Sequence, residues 1–415
     1  MVPDAYLFLY TSVRVAIIKA LPSPWVAVEN DVRRTTSMTD TFDAQTTAKS
    51  SGRRRVLRGK RVVRTSRETE TRVLTHKEIQ ANEWNRYVMD HPKGSVYHTQ
   101  EFIQSMASVA KHEPTGLAAV TNDDRIVAMM LATRIETISG IASNMTSRSV
   151  WNAEPIFDDT ELGRSGLESI VQQHDQNLAR RTLFAEIRPM LPDTGERRIL
   201  EAKGYEFRDY LNYVIDTTAD VGTLMTRMRK SARKKIRQSF RRGVEVSLDT
   251  THNGIERMYP FLEASYGRSQ VPLADIKLFH AALDHFGDEA VQVRLARHEG
   301  NDVAAGISLV FKNRFLAWYG GSLRQKGIVP FDCLTWDEIQ WCSENGMRWY
   351  DFGGAGWPDE EYGPRRFKAK FGGTLTHFGR YRKVFSPLKT KAAKTCFHLF
   401  RRFVAPDTRT TKKRP

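Results

Sequence analysis

The spacing of apolar and polar positions changes period repeatedly along the chain, and these changes divide it into helices and strands. Ordered patterning begins near Arg72. Thr75 can cap a helix running from about His76 to Asp90, with Ile79, Trp84, Tyr87 and Val88 near one face, and Pro92 and Gly94 end it. A second helix covers about Gln100–Val109. Strands Thr115–Val120 and Ile126–Ile135 flank the hairpin signal Asn122-Asp123-Asp124. A helix near Leu162–Ala179, strand Thr182–Ile187, helix Gly195–Ala202 and strand Tyr210–Ile215 close the first half.

The second half repeats this order of elements. A basic helix, Leu224–Arg242, ends at Gly243, a residue suited to the position after a helix. Strand Val244–Leu248 and helices near Gly254–Ser265 and Ala274–Phe286 follow. Strands Val291–Arg297 and Ala304–Phe311 form a hairpin, and strand Phe315–Gly320, helix Phe331–Glu344, strand Trp349–Phe352 and strand Leu375–Val384 complete the set. A hairpin followed by strand, helix and strand argues against a plain doubly wound sheet. The expectation is an α/β chain of two lobes, 72–222 and 223–387, each a mixed, mostly antiparallel sheet flanked by helices and splayed at its centre. The duplication is one of element order, without a residue-level repeat.

Composition changes this picture mainly at the ends. Residues 29–70 are rich in Thr, Ser and Arg and poor in aromatics, so they cannot bury enough surface to offset chain entropy; the stretch 1–71 reads as a disordered basic segment. Ala5–Val28 is apolar in places, but Arg14 and Lys19 interrupt it, and it lacks the basic start and the cleavage site of a secretion signal. A weakly ordered N-terminus or a misassigned start codon is expected, with cytoplasmic residence by default. Cys333, Cys342 and Cys396 fit no zinc spacing and read as free thiols in a reducing compartment.

Of the net charge of +16, residues 1–70 carry +6 and residues 388–415 carry +8, leaving +2 for the folded part. Within that part Arg227–Arg242 holds nine basic residues and no acid, a local attractor for phosphates, nucleic acid or an anionic membrane; a solvated helix face is the ordinary alternative. In the tail, Ala393, Phe397, Phe400 and Val404 share a helical stripe among lysines and arginines. Such a helix can lie on an anionic membrane surface, at the inner face, or pack on the body.

The densest candidate chemistry is Trp349–Gly373 (WYDFGGAGWPDEEYGPRRFKAKFGG). Gly353 and Gly354 interrupt a buried strand and let backbone or ligand come close. A polar loop follows, then Arg365, Arg366, Phe367 and Lys368. Fixed cations and glycines after a strand suit a phosphate or a developing oxyanion. Lys370 reads as a solvated lysine. Arg365 and Arg366 can fork onto phosphates or pair with Asp359, Glu360 or Glu361, and Asp351 can act as a base or cap the next turn.

The pairing of YDFGG with RRFKAKFGG resembles the signature of FemAB-like transferases, the GNAT-superfamily enzymes related to peptidoglycan interpeptide-bridge ligases and to the BioF2-like acetyltransferase domain. Met228–Val246, Leu334–Gly354 and Asn82–Phe102 resemble further parts of that family, and the likeness covers roughly residues 72–387. The resemblance implies tandem GNAT-like lobes, and an acyl or aminoacyl transfer to an amine on a cell-envelope or polysaccharide precursor. It implies that Lys368 lies at the reaction centre beside Phe367 and offsets negative charge there.

Simple GNAT enzymes hold the coenzyme A pyrophosphate with Arg/Gln-x-x-Gly-x-Gly/Ala at a helix N-terminus. Here Arg324-Gln325-Lys326-Gly327-Ile328-Val329 stands in that place, after the strand that carries Tyr319, with Val329 and Pro330 departing from the pattern. Acyl-CoA (acetyl-CoA) and aminoacyl-tRNA are therefore rival donors. The expected site comprises Lys368 and Asp351 for catalysis, with Arg365, Arg366, Phe367, Gly353, Gly354, Arg324, Gly327 and Tyr319 for binding, and no metal. A non-catalytic nucleic-acid- or membrane-binding protein is the alternative from another class.

Overall fold

A computed structural model describes residues 70–136, 147–269, 271–388 and 390. The expected disordered N-terminal segment and the amphipathic tail helix lie outside the described residues. No described helix is long and apolar enough to cross a membrane.

Fifteen described strands form two sheets. The first half supplies β1 (Thr71–Thr75), β2 (His112–Thr121), β3 (Ile126–Ile135), β4 (Arg148–Trp151), β5 (Ile156–Phe157), β6 (Phe184–Ile187), β7 (Glu206–Arg208) and β8 (Leu211–Asp216). The second half supplies β9 (Glu245–Leu248), β10 (Val291–His298), β11 (Asn301–Phe311), β12 (Arg314–Ser322), β13 (Trp349–Gly356), β14 (Thr374–His377) and β15 (Arg380–Val384). One sheet runs β1-β2-β3-β4-β6-β15-β7 with β5 beside β3; the other runs β14-β8-β13-β12-β11-β10-β9. Every described pairing is antiparallel except β4 with β6 and β12 with β13. The fold is thus a pair of mixed, mostly antiparallel sheets flanked by helices, as the element order predicts, in the tandem GNAT-like arrangement that the resemblance implies.

The sheets exchange strands across the boundary expected at residue 222. Strand β8, from the first half, lies between β14 and β13 of the second sheet, and β15, from the end of the second half, lies between β6 and β7 of the first. The single strand expected over Leu375–Val384 is in fact β14 and β15, parted at Gly379. That glycine has φ +74°, and a Cβ there would meet the Phe207 ring at 2.1 Å, so the chain turns from one sheet to the other where no side chain fits.

Two further expectations need correction. The helix expected from about His76 begins only at Ala81 (α1, Ala81–Asp90), and Thr75, expected as its cap, instead ends a strand, Thr71–Thr75, paired with β2. The basic helix is two helices, α5 (Val221–Arg227) and α6 (Lys230–Arg241). Buried Met228 is extended, and the Arg229 N–H donates to the Lys370 carbonyl at 2.9 Å. A tertiary acceptor has replaced the helical one. Helix α6 then buries Ala232, Ile236 and Ser239, a stripe at helical spacing.

The remaining helices are α2 (Gln100–Ala107), α3 (Glu161–Leu178), α4 (Glu196–Ala202), α7 (His252–Ser269), α8 (Ile276–Phe286), α9 (Pro330–Glu344) and α10 (Gly363–Lys368). Short α10 falls where the sequence suggested a loop. The lobes share packing: Leu278 of α8 joins Ile103 and Met106 of α2 in one apolar cluster, with Phe311 and Trp318 packed against it. Cys333 and Cys342 are buried free thiols.

Candidate active site between the lobes

Strands β12 and β13 pair over three positions only, Arg314 with Trp349, Phe315 with Tyr350 and Leu316 with Asp351. Beyond them both strands continue, to Ser322 and Gly356, without pairing to each other. This parting exposes backbone groups that a regular ladder would satisfy.

Lys368, the last residue of α10, answers that need on β13. Its Nζ donates to the Phe352 and Gly354 carbonyls, both at 2.6 Å. Burial lowers its amine to about 8, with the Asp351 charge acting the other way. Phe367 anchors the segment, stacking on Phe331 and standing edge-on to Phe352 and Phe371. Gly353, between the two carbonyls, has φ +67°, a conformation L side chains rarely adopt. Gly354 keeps its Cβ position clear for the Tyr210 ring, which would lie 2.9 Å away.

Asp351 is fully buried and already committed: it pairs with Arg314 at 2.7 Å and accepts the Gly353 N–H at 2.7 Å. Arg365 is committed too. Its Nε donates to the Ala355 carbonyl at 2.7 Å, and its terminal nitrogens reach the carbonyls of Trp357 and Pro358. It clamps the loop after β13 and pairs with none of Asp359, Glu360 or Glu361. Arg366 is exposed. Lys370 is no solvated lysine; it pairs with Asp332 in the first turn of α9 at 2.9 Å and lies over the Phe367 ring.

On the other side of the parting, a cavity of about 180 Å³ lies between the lobes. Its walls include Asp351, Gly353 and Gly354 from β13, Leu316 from β12, and Asn152, Arg188 and Met190 from just past β4 and β6. The C-terminal ends of both parallel pairs thus meet at one cavity, the position where open sheets commonly bind ligands. Arg188 and Arg380 both bond Glu186 Oε1, at 2.7 and 3.2 Å. Burial would raise the Glu186 carboxyl, but these guanidiniums outweigh it and hold it at about 2. Arg380 also lies 3.6 Å over the Tyr210 ring. These arginines were missed in the sequence; Arg188 follows a buried strand, but nothing local marks Arg380. Met190 and Leu316 also line a second cavity of similar size, where Lys93 pairs with Glu196 and Arg314 with Asp351.

The loop Arg324–Gly327 is exposed and leads into α9. Gly327 takes φ +86°, and its carbonyl accepts from Arg242. The Val329 N–H is taken by Ser239 Oγ at 2.9 Å, Pro330 has none, and Asp332 sits in the first turn. Much of the helix N-terminus is therefore already satisfied. Tyr319 stands apart from this loop, packed among Tyr266, Phe279 and Trp318. The structure brings together Lys368, Phe367, Asp351, Gly353 and Gly354, and sets Arg324 and Gly327 at the far end of α6.

Fold and site together define a tandem GNAT-like protein with its opening in the second lobe. Residues 226–368, which lie almost wholly in the second lobe, match the family model described as "Acetyltransferase (GNAT) domain". No curated protein matches the chain. Among solved structures it resembles FemX, at 14% identity and a TM-score of 0.60, over 77% of this chain and 98% of that one, which establishes the shared fold. It is also similar to the C-terminal domain of a putative lysylphosphatidylglycerol synthetase from Agrobacterium fabrum, at 14% identity and a TM-score of 0.49, over 77% and 94% of the two chains.

Proposed function

We propose that the chain is an N-acyltransferase that passes an acyl group from a donor lodged between β12 and β13 to an amine entering through the interlobe cavity. The observation that carries this is the parting of the parallel pair after Leu316 and Asp351, with Lys368 on one side and the cavity on the other. The amine nitrogen bonds to the acyl carbon, the bond from that carbon to the donor breaks, and the amine proton passes to the leaving group or solvent. A protonated lysine has three N–H donors. Two are held by Phe352 and Gly354, which leaves the third for the developing oxyanion. Asp351 orients: it fixes Gly353 and Arg314 and is not a free base.

The donor is acyl-CoA, in its simplest form acetyl-CoA. The acetyltransferase match and the exposed Arg324–Gly327 loop support it. The likeness of YDFGG and RRFKAKFGG to bridge-forming transferases supports an amine on an envelope or polysaccharide precursor as acceptor. A second reading, aminoacyl-tRNA as donor, is favoured by a different observation. None of the nine cations from Arg227 to Arg242 forms an ion pair with a carboxylate among the described residues. Helix α6 carries most of them between the Lys370 segment and the Gly327 loop. A long polyanion would suit that strip.

The test is thermal unfolding with acetyl-CoA, longer acyl-CoAs and aminoacyl-tRNA, followed by transfer to a panel of amines. A donor that binds the native state raises the melting temperature. Stabilisation by an acyl-CoA with transfer that requires Lys368 supports the leading reading; stabilisation by tRNA alone, with transfer, moves the donor to the second. No transfer from either donor refutes both.

A further inference from the structure

Arg188 and Arg380 are more than a structural pair. Among the described residues, Arg188 spends only its Nε–H, on Glu186; its terminal N–H groups have no protein acceptor. Arg380 gives one terminal nitrogen to the same carboxylate oxygen and rests its flat face on Tyr210. Two guanidiniums therefore share one carboxylate, and both line the cavity. The Asn152 and Asn212 side chains, also in its wall, make no hydrogen bond with described residues. The Asp351 charge in the opposite wall is matched by Arg314. The cavity wall thus carries one excess positive charge and several unspent donors.

A guanidinium fork with free terminal N–H groups matches a carboxylate edge to edge. Size narrows the ligand further. Ligand pockets for drug-sized molecules run to roughly 300–1,000 Å³, whereas this cavity holds about 180 Å³, enough for a group the size of one small amino acid. The fold explains how the two arginines come to face the opening: Arg188 follows β6, and Arg380 begins β15, the strand the second half lends to the first sheet.

We propose that the cavity selects acceptors in which the amine is accompanied by a carboxylate, an amino acid or the acid-bearing end of a peptide, with the carboxylate held by Arg188 and Arg380. The assignment of this group as the acceptor rests on the acyl-transfer reading, so binding is measured first without any donor. Thermal unfolding of the full chain is followed in millimolar glycine, L-alanine and L-lysine, and in the corresponding amides, which keep the amine and lose the negative charge. The acids raise the melting temperature and the amides do not. Arg188→Gln weakens binding of the acids by about tenfold to a hundredfold, the usual range for losing a hydrogen bond to a charged group. Arg380→Lys, which keeps the charge and loses the fork, gives a smaller loss and serves if the first variant does not fold.

Equal stabilisation by acids and amides, stabilisation by neither, or an unchanged preference in both variants overturns the assignment. If the acids bind as described but no donor yields transfer to them, the carboxylate site stands and the acyl-transfer reading fails.

Discussion

Each sheet has one parallel strand pair, yet only one of the two pairs opens. In the first sheet β4 and β6 stay in register from Arg148 with Phe184 to Trp151 with Ile187, and the Arg188 N–H carries the ladder one step on, to the Trp151 carbonyl. Behind them lies a sealed polar knot. His174 Nε2 meets Trp151 Nε1 at 3.1 Å and Ser149 Oγ at 2.9 Å, its Nδ1 meets Asp175, and Asp175 takes Tyr205 and Lys383 as well. The order Ser, His, Asp invites a catalytic interpretation, but Ser149 and His174 are buried and each polar group has a partner within the knot. In the second sheet the pair parts after three positions, and a lysine held by two backbone carbonyls stands where a strand would be. The parallel pair is common to both lobes; chemistry follows from what fills its end.

The contrast can be broken most strongly at Lys368. Lys368→Met should cut transfer by about 100- to 1,000-fold, the usual cost of one oxyanion donor, while circular dichroism shows a folded chain. The sign of the pH dependence follows from the amine at about 8. The cation is lost as pH rises through that value, so transfer by the wild type falls on the alkaline side, and the Met variant lacks that limb. Stability moves oppositely: between about 8 and the ordinary lysine value of 10.5 the unfolded chain holds more proton than the folded one, so this group makes stability rise with pH there.

Next in size, Asp351→Asn leaves Arg314 without its charge partner and should cost roughly 3–5 kcal/mol in chemical denaturation. The equivalent blow to the first lobe, His174→Ala, should cost roughly 1–3 kcal/mol through unsatisfied polar groups and leave kcat and KM unchanged where the chain is folded. A fall in kcat without unfolding would place chemistry in the knot and break the comparison. The smallest change in stability, within about 0.5 kcal/mol, is expected from Arg233, Lys234 and Lys235 all changed to Gln. If the donor is RNA, the slope of log affinity against log salt for this variant should shrink by roughly 2; acyl-CoA binding should change little.

Much of this was legible in the sequence, because periodicity reports burial on one face of an element. The strands β3, β11 and β13 and the helix α9 sit close to where their apolar patterns put them. Gly353, Gly354, Phe367 and Lys368 stood out as candidates as well, since glycines and cations after a buried strand are a local signal, but the bonds from Lys368 to the Phe352 and Gly354 carbonyls were not readable. What could not be read depends on distant partners. The break between α5 and α6 is made by the Lys370 carbonyl, the turn at Gly379 by the Phe207 ring, and the place of Arg380 by Glu186 on another strand. The fate of Lys370 was likewise set by Asp332, an acceptor that only the fold brings near, while Arg365 turned to carbonyls of the loop just before it.

The most direct test of the central claim is hydrogen–deuterium exchange with and without donor, acetyl-CoA and aminoacyl-tRNA in turn. A donor lodged between β12 and β13 should slow exchange in residues 317–329 and 352–356, and leave 148–152 and 184–188 as they were. Protection confined to the first lobe, or no protection with either donor, would contradict the assignment of the opening in the second sheet as the seat of transfer.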